Sequence, residues 1–311
     1  MAKLSRTVKE VIKTTVVVVV VGVLIAVYAI YPLIRSKTMT ARTDLDDFNP
    51  DSLVVNNPGV FADSGRAVDT FRVECDGLTN LACLYLAPPV DSSDAIRGTV
   101  CLLHADGQTR DDMLPVAEIL LDSGYAVAAC DQRASGRSTG QYRGDGQYEA
   151  SDLQEVIRYL DIREKVIHPL YLVGIGLGGD AALLVAEEEP RVDAVVAVSP
   201  YLSTTRMLDR LKERHEIYSF PFFRTVMWWW YNMRSSYAAP YRETEDVRPV
   251  KVRTLLLNTA EAAADPEVAR LTEASDPGLL THESRPASED DLYTRITMFV
   301  TSEATTPPPQ E

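Results

Sequence analysis

The residues best suited to chemistry in this chain are four histidines isolated in sequence and a few serines at turns and strand ends. His104, His168, His215 and His282 stand alone, with no HExxH or CxxC spacing around them, so no metal site is expected. Ser135, Ser138 and Ser199 carry hydroxyls that a base can activate, yet each also sits where a turn or strand end uses a hydroxyl structurally. The most ordered pattern is Tyr171-Leu172-Val173-Gly174-Ile175-Gly176-Leu177-Gly178-Gly179, an apolar run followed by a glycine-rich turn and the start of a helical pattern. Gly174, Gly176 and Gly179 fit the Gly-x-Gly-x-x-Gly spacing with which a strand and helix cradle a dinucleotide. That use needs an acid about 20 positions on, at the end of the next strand, to hold the ribose. The next strand pattern, Val192–Val198, ends in Ser199-Pro200, and Glu187, Glu188 and Glu189 fall too early. No cofactor is expected, and a dinucleotide-binding protein is the least favoured reading.

These residues must be placed by the elements around them. A hairpin pattern, Thr70–Cys75 with Leu81–Ala87, precedes short runs rich in Val and Leu: Thr99–Leu103, Tyr125–Cys130, Pro169–Val173, Val192–Val198 and Arg253–Leu257, with a short strand at Gly278–Thr281. Runs apolar throughout suit parallel strands covered on both faces. Helical periodicity fills the gaps at Asp112–Ser123, Tyr148–Leu160, Leu177–Glu189 and Glu289–Phe299. Alternation of this kind predicts an α/β fold with a mostly parallel eight-stranded sheet and helices on both faces. Tyr201–Val250, about 50 residues, breaks the alternation and is expected to form a helical cap over the carboxyl ends of the strands, where such sheets bind ligands. It holds Phe220, Phe222, Phe223 and the adjacent Trp228, Trp229 and Trp230. Those aromatics either pack the cap onto the sheet or line a lipid-like pocket or bilayer interface.

In this order the motifs resemble the α/β hydrolases, in particular serine hydrolases related to serine aminopeptidases and acyl esterases, over about residues 68 to 300. His104-Ala105-Asp106-Gly107 looks like the family's His-Gly loop, with Ala105 for a glycine, and implies oxyanion donors at Ala105, Asp106 and Leu177. Asp131-Gln132-Arg133-Ala134-Ser135-Gly136-Arg137-Ser138 looks like its Asp-x-Arg-Gly-x-Gly-x-Ser turn, with Ala134 for a glycine. In such enzymes the fifth strand turns into a helix through Gly-x-Ser-x-Gly, the serine exposed on the corner. Gly174 and Gly178 match, and the nucleophile position is Gly176. Without Oγ or a thiolate, acyl-enzyme chemistry has no attacking atom. The family's acid falls on Ala262, or on Glu261 or Asp265 if the loop has slipped. His282 is either the family histidine or an ordinary residue at the end of its short strand.

The 46% hydrophobic and 24% charged composition is that of a folded protein. A formal charge of -14 argues against nucleic acid as partner, since phosphate binding needs clustered Lys and Arg. Thr14–Ile34 has no charged residue and is long enough for one membrane-spanning helix; Lys3, Arg6, Lys9 and Lys13 precede it, placing the N-terminus in the cytoplasm. A signal peptide would have a shorter apolar core and a small-x-small cleavage site. Residues 1–13 then form a cytoplasmic start, 35–69 a linker, 70–301 the hydrolase-like domain outside the cytoplasm, and 302–311 a disordered tail. Cys101 and Cys130 read as small hydrophobes in central strands, and a Cys75–Cys83 bridge across the hairpin turn is one option. The expected function is a membrane-anchored hydrolase-fold protein without hydrolase activity, binding an acyl or peptide ligand or a protein partner. The alternative is an active esterase or peptidase with an unusual site.

Overall fold

The computed structural model describes residues 6–37, 66–88, 95–140, 143–214, 248–259 and 266–302. The apolar runs become strands β1 (Ala67–Glu74), β2 (Asn80–Ala87), β3 (Thr99–Leu103), β4 (Ala126–Cys130), β5 (Leu170–Ile175), β6 (Val192–Val198), β7 (Arg253–Asn258) and β8 (Leu280–Ser284). They form one eight-stranded sheet in the order β1-β2-β4-β3-β5-β6-β7-β8. β2 is antiparallel to β1 and to β4, and the remaining pairs are parallel.

Helix α1 spans Arg6–Lys37, and six more follow among the described residues: α2 (Leu114–Asp122, after a 3-10 turn at Arg110–Met113), α3 (Gln147–Ile162), α4 (Leu177–Glu188), α5 (Thr204–Arg214), α6 (Pro266–Ala274) and α7 (Glu289–Thr301). The central strands are apolar on both sides because both sides are covered. On one face Leu172, Val195 and Leu256 meet Ile157 of α3, Val185 of α4 and Leu271 of α6. On the other, Val173, Val196 and Leu255 meet Leu120 of α2 and Ile296 of α7. α7 starts on Ser288, whose hydroxyl accepts from the Asp291 amide, and its first turn carries Glu289, Asp290 and Asp291 where the helix dipole favours negative charge.

Several details differ from the sequence reading. β1 begins at Ala67, so the sheet takes three residues from the expected linker. α6 was not expected; only Val268 and Leu271 of its nine residues form an apolar stripe, too few for periodicity to stand out. The disulfide joins Cys83 to Cys130, leaving Cys75 and Cys101 as free thiols. Pairing follows register: Cys83 faces Cys130 across β2 and β4, whereas on β1 its partner is Phe71, four positions from Cys75.

α1 has 32 residues, about 48 Å at 1.5 Å per residue. Its described side chains, Val8–Gly22 and Leu24, are all exposed, Val16–Val21 among them. Among the described residues no helix is long and apolar enough to cross a membrane. The side chains described cover only part of Thr14–Ile34. Most of the expected cap, with its three tryptophans, lies outside the described residues, as do the linker from 38 to 65 and the tail from 303.

Candidate active site

β5 ends at Ile175 and α4 begins at Leu177, leaving Gly176 alone on the corner with φ 54 and ψ -120. Its amide donates to Val198 O (2.8 Å), and its carbonyl accepts from the Gly179 amide (2.9 Å). The flanking glycines are required by close packing. A Cβ on Gly174 would lie 2.1 Å from Gly178 O, and one on Gly178 would lie 2.6 Å from Leu103 O. These contacts give Gly174 and Gly178 a packing role. Glu187 and Glu189 are used elsewhere, paired with Arg248 and Arg191.

Gly176 is different. A Cβ there would meet Ala105 Cβ at 3.4 Å and Asp106 Oδ1 at 3.5 Å, which is ordinary contact. Space for a side chain on the corner has been kept, and what is missing is the oxygen. Because the first amides of a helix have no intrahelical acceptor, Leu177 N–H is available at this corner.

The loop opposite, Ala105–Gly107, is held by His104. This residue is buried; its Nδ1 bonds to Ala105 O (2.7 Å), so Nδ1 carries the proton, and its Nε2 accepts from the Gln132 amide (2.9 Å). The Gln132 side chain donates in turn to His104 O. Burial pushes the His104 pKa down. With both nitrogens engaged, His104 is a bracket between two loops and has no atom left for substrate. The turn after β4 is held similarly. Asp131 accepts from the amides of Arg110 (2.9 Å) and Arg137 (3.0 Å), and a Cβ on Gly136 would fall within 2.6 Å of that carboxylate. Arg133 makes two bonds to buried Asp152 of α3 (2.8 and 2.6 Å) under the Tyr148 ring. Ala134 adopts φ 54 where the resembling motif has glycine. Ser138 Oγ bonds to Asp131 O and to the Ala82 amide, so it is a structural hydroxyl.

One pair at the corner was not read from the sequence. The Tyr201 hydroxyl donates to Asp106 Oδ1 at 2.8 Å. Tyr201 is flanked by Ser199 (φ 48) and Leu202 (φ 66), non-glycine residues in the left-handed region, each costing about 1–2 kcal/mol. Buried Asp180 of α4 supports this segment by accepting from the amides of Tyr201 (2.8 Å) and Leu202 (2.7 Å). A strained segment anchored in this way delivers one hydroxyl to the carboxylate beside Gly176. The Ser199-Pro200 break after β6 was the available signal, but nothing local showed where the next side chain points.

His282 lies within β8. The register places it level with Gly174, through Ala197 on β6 and Leu256 on β7. Three strand spacings, about 14 Å, separate it from β5. Its Nε2 is buried without a hydrogen-bond partner. The structure therefore brings Ala105, Asp106, Gly176 and Leu177 together and leaves His282 apart. Glu261, Ala262 and Asp265 lie outside the described residues.

A strand-to-helix elbow on the fifth strand, facing a His-Gly-type loop on the third, agrees with the family-model comparison. Residues 94–274, more than half of the chain, match the family described as Serine aminopeptidase, S33. The chain belongs to this family. Among solved structures, an esterase from Pyrococcus furiosus, Pf2001, is 19% identical with a TM-score of 0.59, covering 78% of this chain and 93% of its own. A DcsB complex with its substrate analogue is 15% identical with a TM-score of 0.54, covering 75% and 98%. TT1662 from Thermus thermophilus is 17% identical with a TM-score of 0.50, covering 75% and 97%. At such identities these structures show the α/β-hydrolase fold shared with the S33 family and nothing finer. No curated protein matches the sequence.

Proposed function

We propose that this S33-family chain is a membrane-anchored pseudohydrolase, which binds an acyl or peptide ligand, or a protein partner, in the former active-site cleft without cleaving it through an acyl-enzyme. One observation carries the reading: the elbow is intact and its corner residue, Gly176, has no atom that can attack a carbonyl. Two further features support it. His282, the candidate for the family histidine, lies on β8 three strands from β5, and the Asp106 carboxylate stands 3.5 Å from the Cβ position of residue 176.

The anchor is proposed from the 21 uncharged residues Thr14–Ile34 and the basic residues before them. The Cys83–Cys130 disulfide supports a domain outside the cytoplasm, since such bonds persist in oxidising compartments. Repurified full-length protein is expected to hydrolyse p-nitrophenyl butyrate and a leucyl anilide no faster than its Gly176→Val variant. Turnover above that level, retained through a second purification, contradicts the pseudohydrolase reading. Protease added to intact cells is expected to digest residues 43–311; a protected domain contradicts the orientation, and a soluble mature form contradicts the anchor.

The second reading is hydrolysis by an unusual site, and the observation that favours it is Asp106, a carboxylate within reach of the corner. Turnover in the same assay that is lost in Asp106→Asn is the result this reading expects.

A further inference from the structure

The Cys83–Cys130 disulfide joins the pair at one end of the β2–β4 ladder, and the neighbours of both cysteines hold the loops that face the elbow. Ala82, next to Cys83, accepts from the Asp131 amide (3.0 Å) and donates its own amide to Ser138 Oγ (2.8 Å). It thus fixes both ends of the turn after β4. Asp131, next to Cys130, accepts from the amides of Arg110 and Arg137. Gln132 follows, bonded to His104 through both its amide and its side chain, and His104 in turn holds Ala105 O. We propose that Cys83–Cys130 is a redox latch: oxidised, it fixes the Asp131–Ser138 turn and the His104 loop, and opened by a dithiol it frees them while the sheet stays folded. The proposal goes beyond the pseudohydrolase reading and does not depend on it.

Position makes the bond a latch and not a staple of the whole domain. β2 is held to β1 by eight residue pairs and to β4 by only four, the last of them the bridged pair. Opening the bond therefore leaves β2 placed by β1 and leaves the parallel strands from β3 to β8 untouched, so the loss falls on the turn and loop beyond the ladder's end. Cys130 is half-buried and Cys83 buried, which makes Cys130 Sγ the sulfur that a thiolate reaches. The first thiolate of the dithiol bonds to Cys130 Sγ, the Sγ–Sγ bond breaks, and Cys83 leaves and takes a proton. The second thiol then displaces Cys130, which takes the other proton; the dithiol ends as a disulfide, and two electrons have passed to the protein. Cys101 lines the same cavity as Cys130 and Gln132, but β3 pairs it with Ala128, two residues short of Cys130. Diagonal neighbours of this kind lie about 7–8 Å apart, too far for a disulfide, so the bond re-forms with Cys83 alone.

The test is hydrogen exchange of the full-length protein in detergent, followed by mass spectrometry, before and after treatment with dithiothreitol under native conditions. Alkylation after an acid quench is expected to label all four cysteines of the treated protein, showing that the bond opens in the folded state. Peptides covering 104–111 and 131–138 are expected to exchange at least about tenfold faster once it is open, and the β6 strand at its original rate. Reoxidation is expected to restore the slow rates. A bond that stays closed in the folded protein overturns the proposal, as do unchanged rates in the two loop peptides. An equal rise in β6 overturns it too, since the bond would then be a staple of the whole domain, and so do rates that stay fast after reoxidation. The double variant Cys83→Ala with Cys130→Ala is expected to show the fast loop rates with no reductant and no response to dithiothreitol. Should that variant not fold, the unmutated protein in its two redox states still decides. Ester turnover plays no part in any of these outcomes, so the latch and the pseudohydrolase reading can fail separately.

Discussion

Asp106 Oδ1 lies 3.5 Å from the point that a Cβ on Gly176 would occupy. The corner thus has room for a serine, and a carboxylate is its nearest charged neighbour. Restoring the serine should not restore the enzyme. Gly176→Ser alone, and Gly176→Ser with Ala262→Asp, are both expected to hydrolyse p-nitrophenyl butyrate within about tenfold of the unmutated protein, since a positioned base is worth about 100- to 10,000-fold and His282 is three strands away. A gain of 100-fold in either variant contradicts the placement of His282.

The flanking glycines are under a different constraint. Gly174→Ala puts a Cβ 2.1 Å from Gly178 O and should cost about 3 kcal/mol or more, because backbone at that distance cannot yield without opening the elbow. Gly77→Ala, at φ 75 with nothing within 4 Å, should cost about 1–2 kcal/mol for its left-handed backbone alone. Denaturant midpoints separate the two; equal costs contradict the packing argument.

Asp111 gives a pH dependence. Burial pushes its pKa up to about 6, with the nearby Asp131 charge adding to the effect. The folded state therefore holds this proton more tightly than the unfolded chain, and the site loses stability as pH rises through about 4 to 6. Asp111→Asn removes the penalty. Its melting temperature should rise relative to the unmutated protein at pH of about 7.5 and show no gain at about 4. An equal change at both contradicts a titrating Asp111. His104 runs the other way: burial lowers its pKa, so its contribution is present above about 6.5 and lost as pH falls further.

The disulfide is open to direct counting. Denatured but unreduced protein should expose two reactive thiols, Cys75 and Cys101, and four after reduction. Cys130→Ser should cost about 2–5 kcal/mol. Four thiols before reduction contradict the bond, and with it this support for a domain outside the cytoplasm.

Much of the fold was legible because parallel strands carry their burial in composition. β3 and β6 begin and end where their apolar runs do, at Thr99–Leu103 and Val192–Val198. The elbow was legible because close packing imposes glycine at 174 and 178. What failed depended on relations between distant segments. Cys83 finds Cys130 through the register of β2 against β4, which no local spacing encodes. Tyr201 reaches Asp106 through a strained turn whose direction is set by Asp180, 21 positions earlier. Both readings of His282 put it just past a strand ending at Thr281; β8 runs on to Ser284, so His282 is a strand residue and not a rim residue.

The account turns on whether anything in this chain can act as an activated serine. A fluorophosphonate probe, incubated with native full-length protein and followed by mass mapping, measures that directly. No serine should be labelled above the level of heat-denatured protein. Stoichiometric labelling of one serine, Ser199 or another near the elbow, would show a working nucleophile displaced from position 176 and contradict the account.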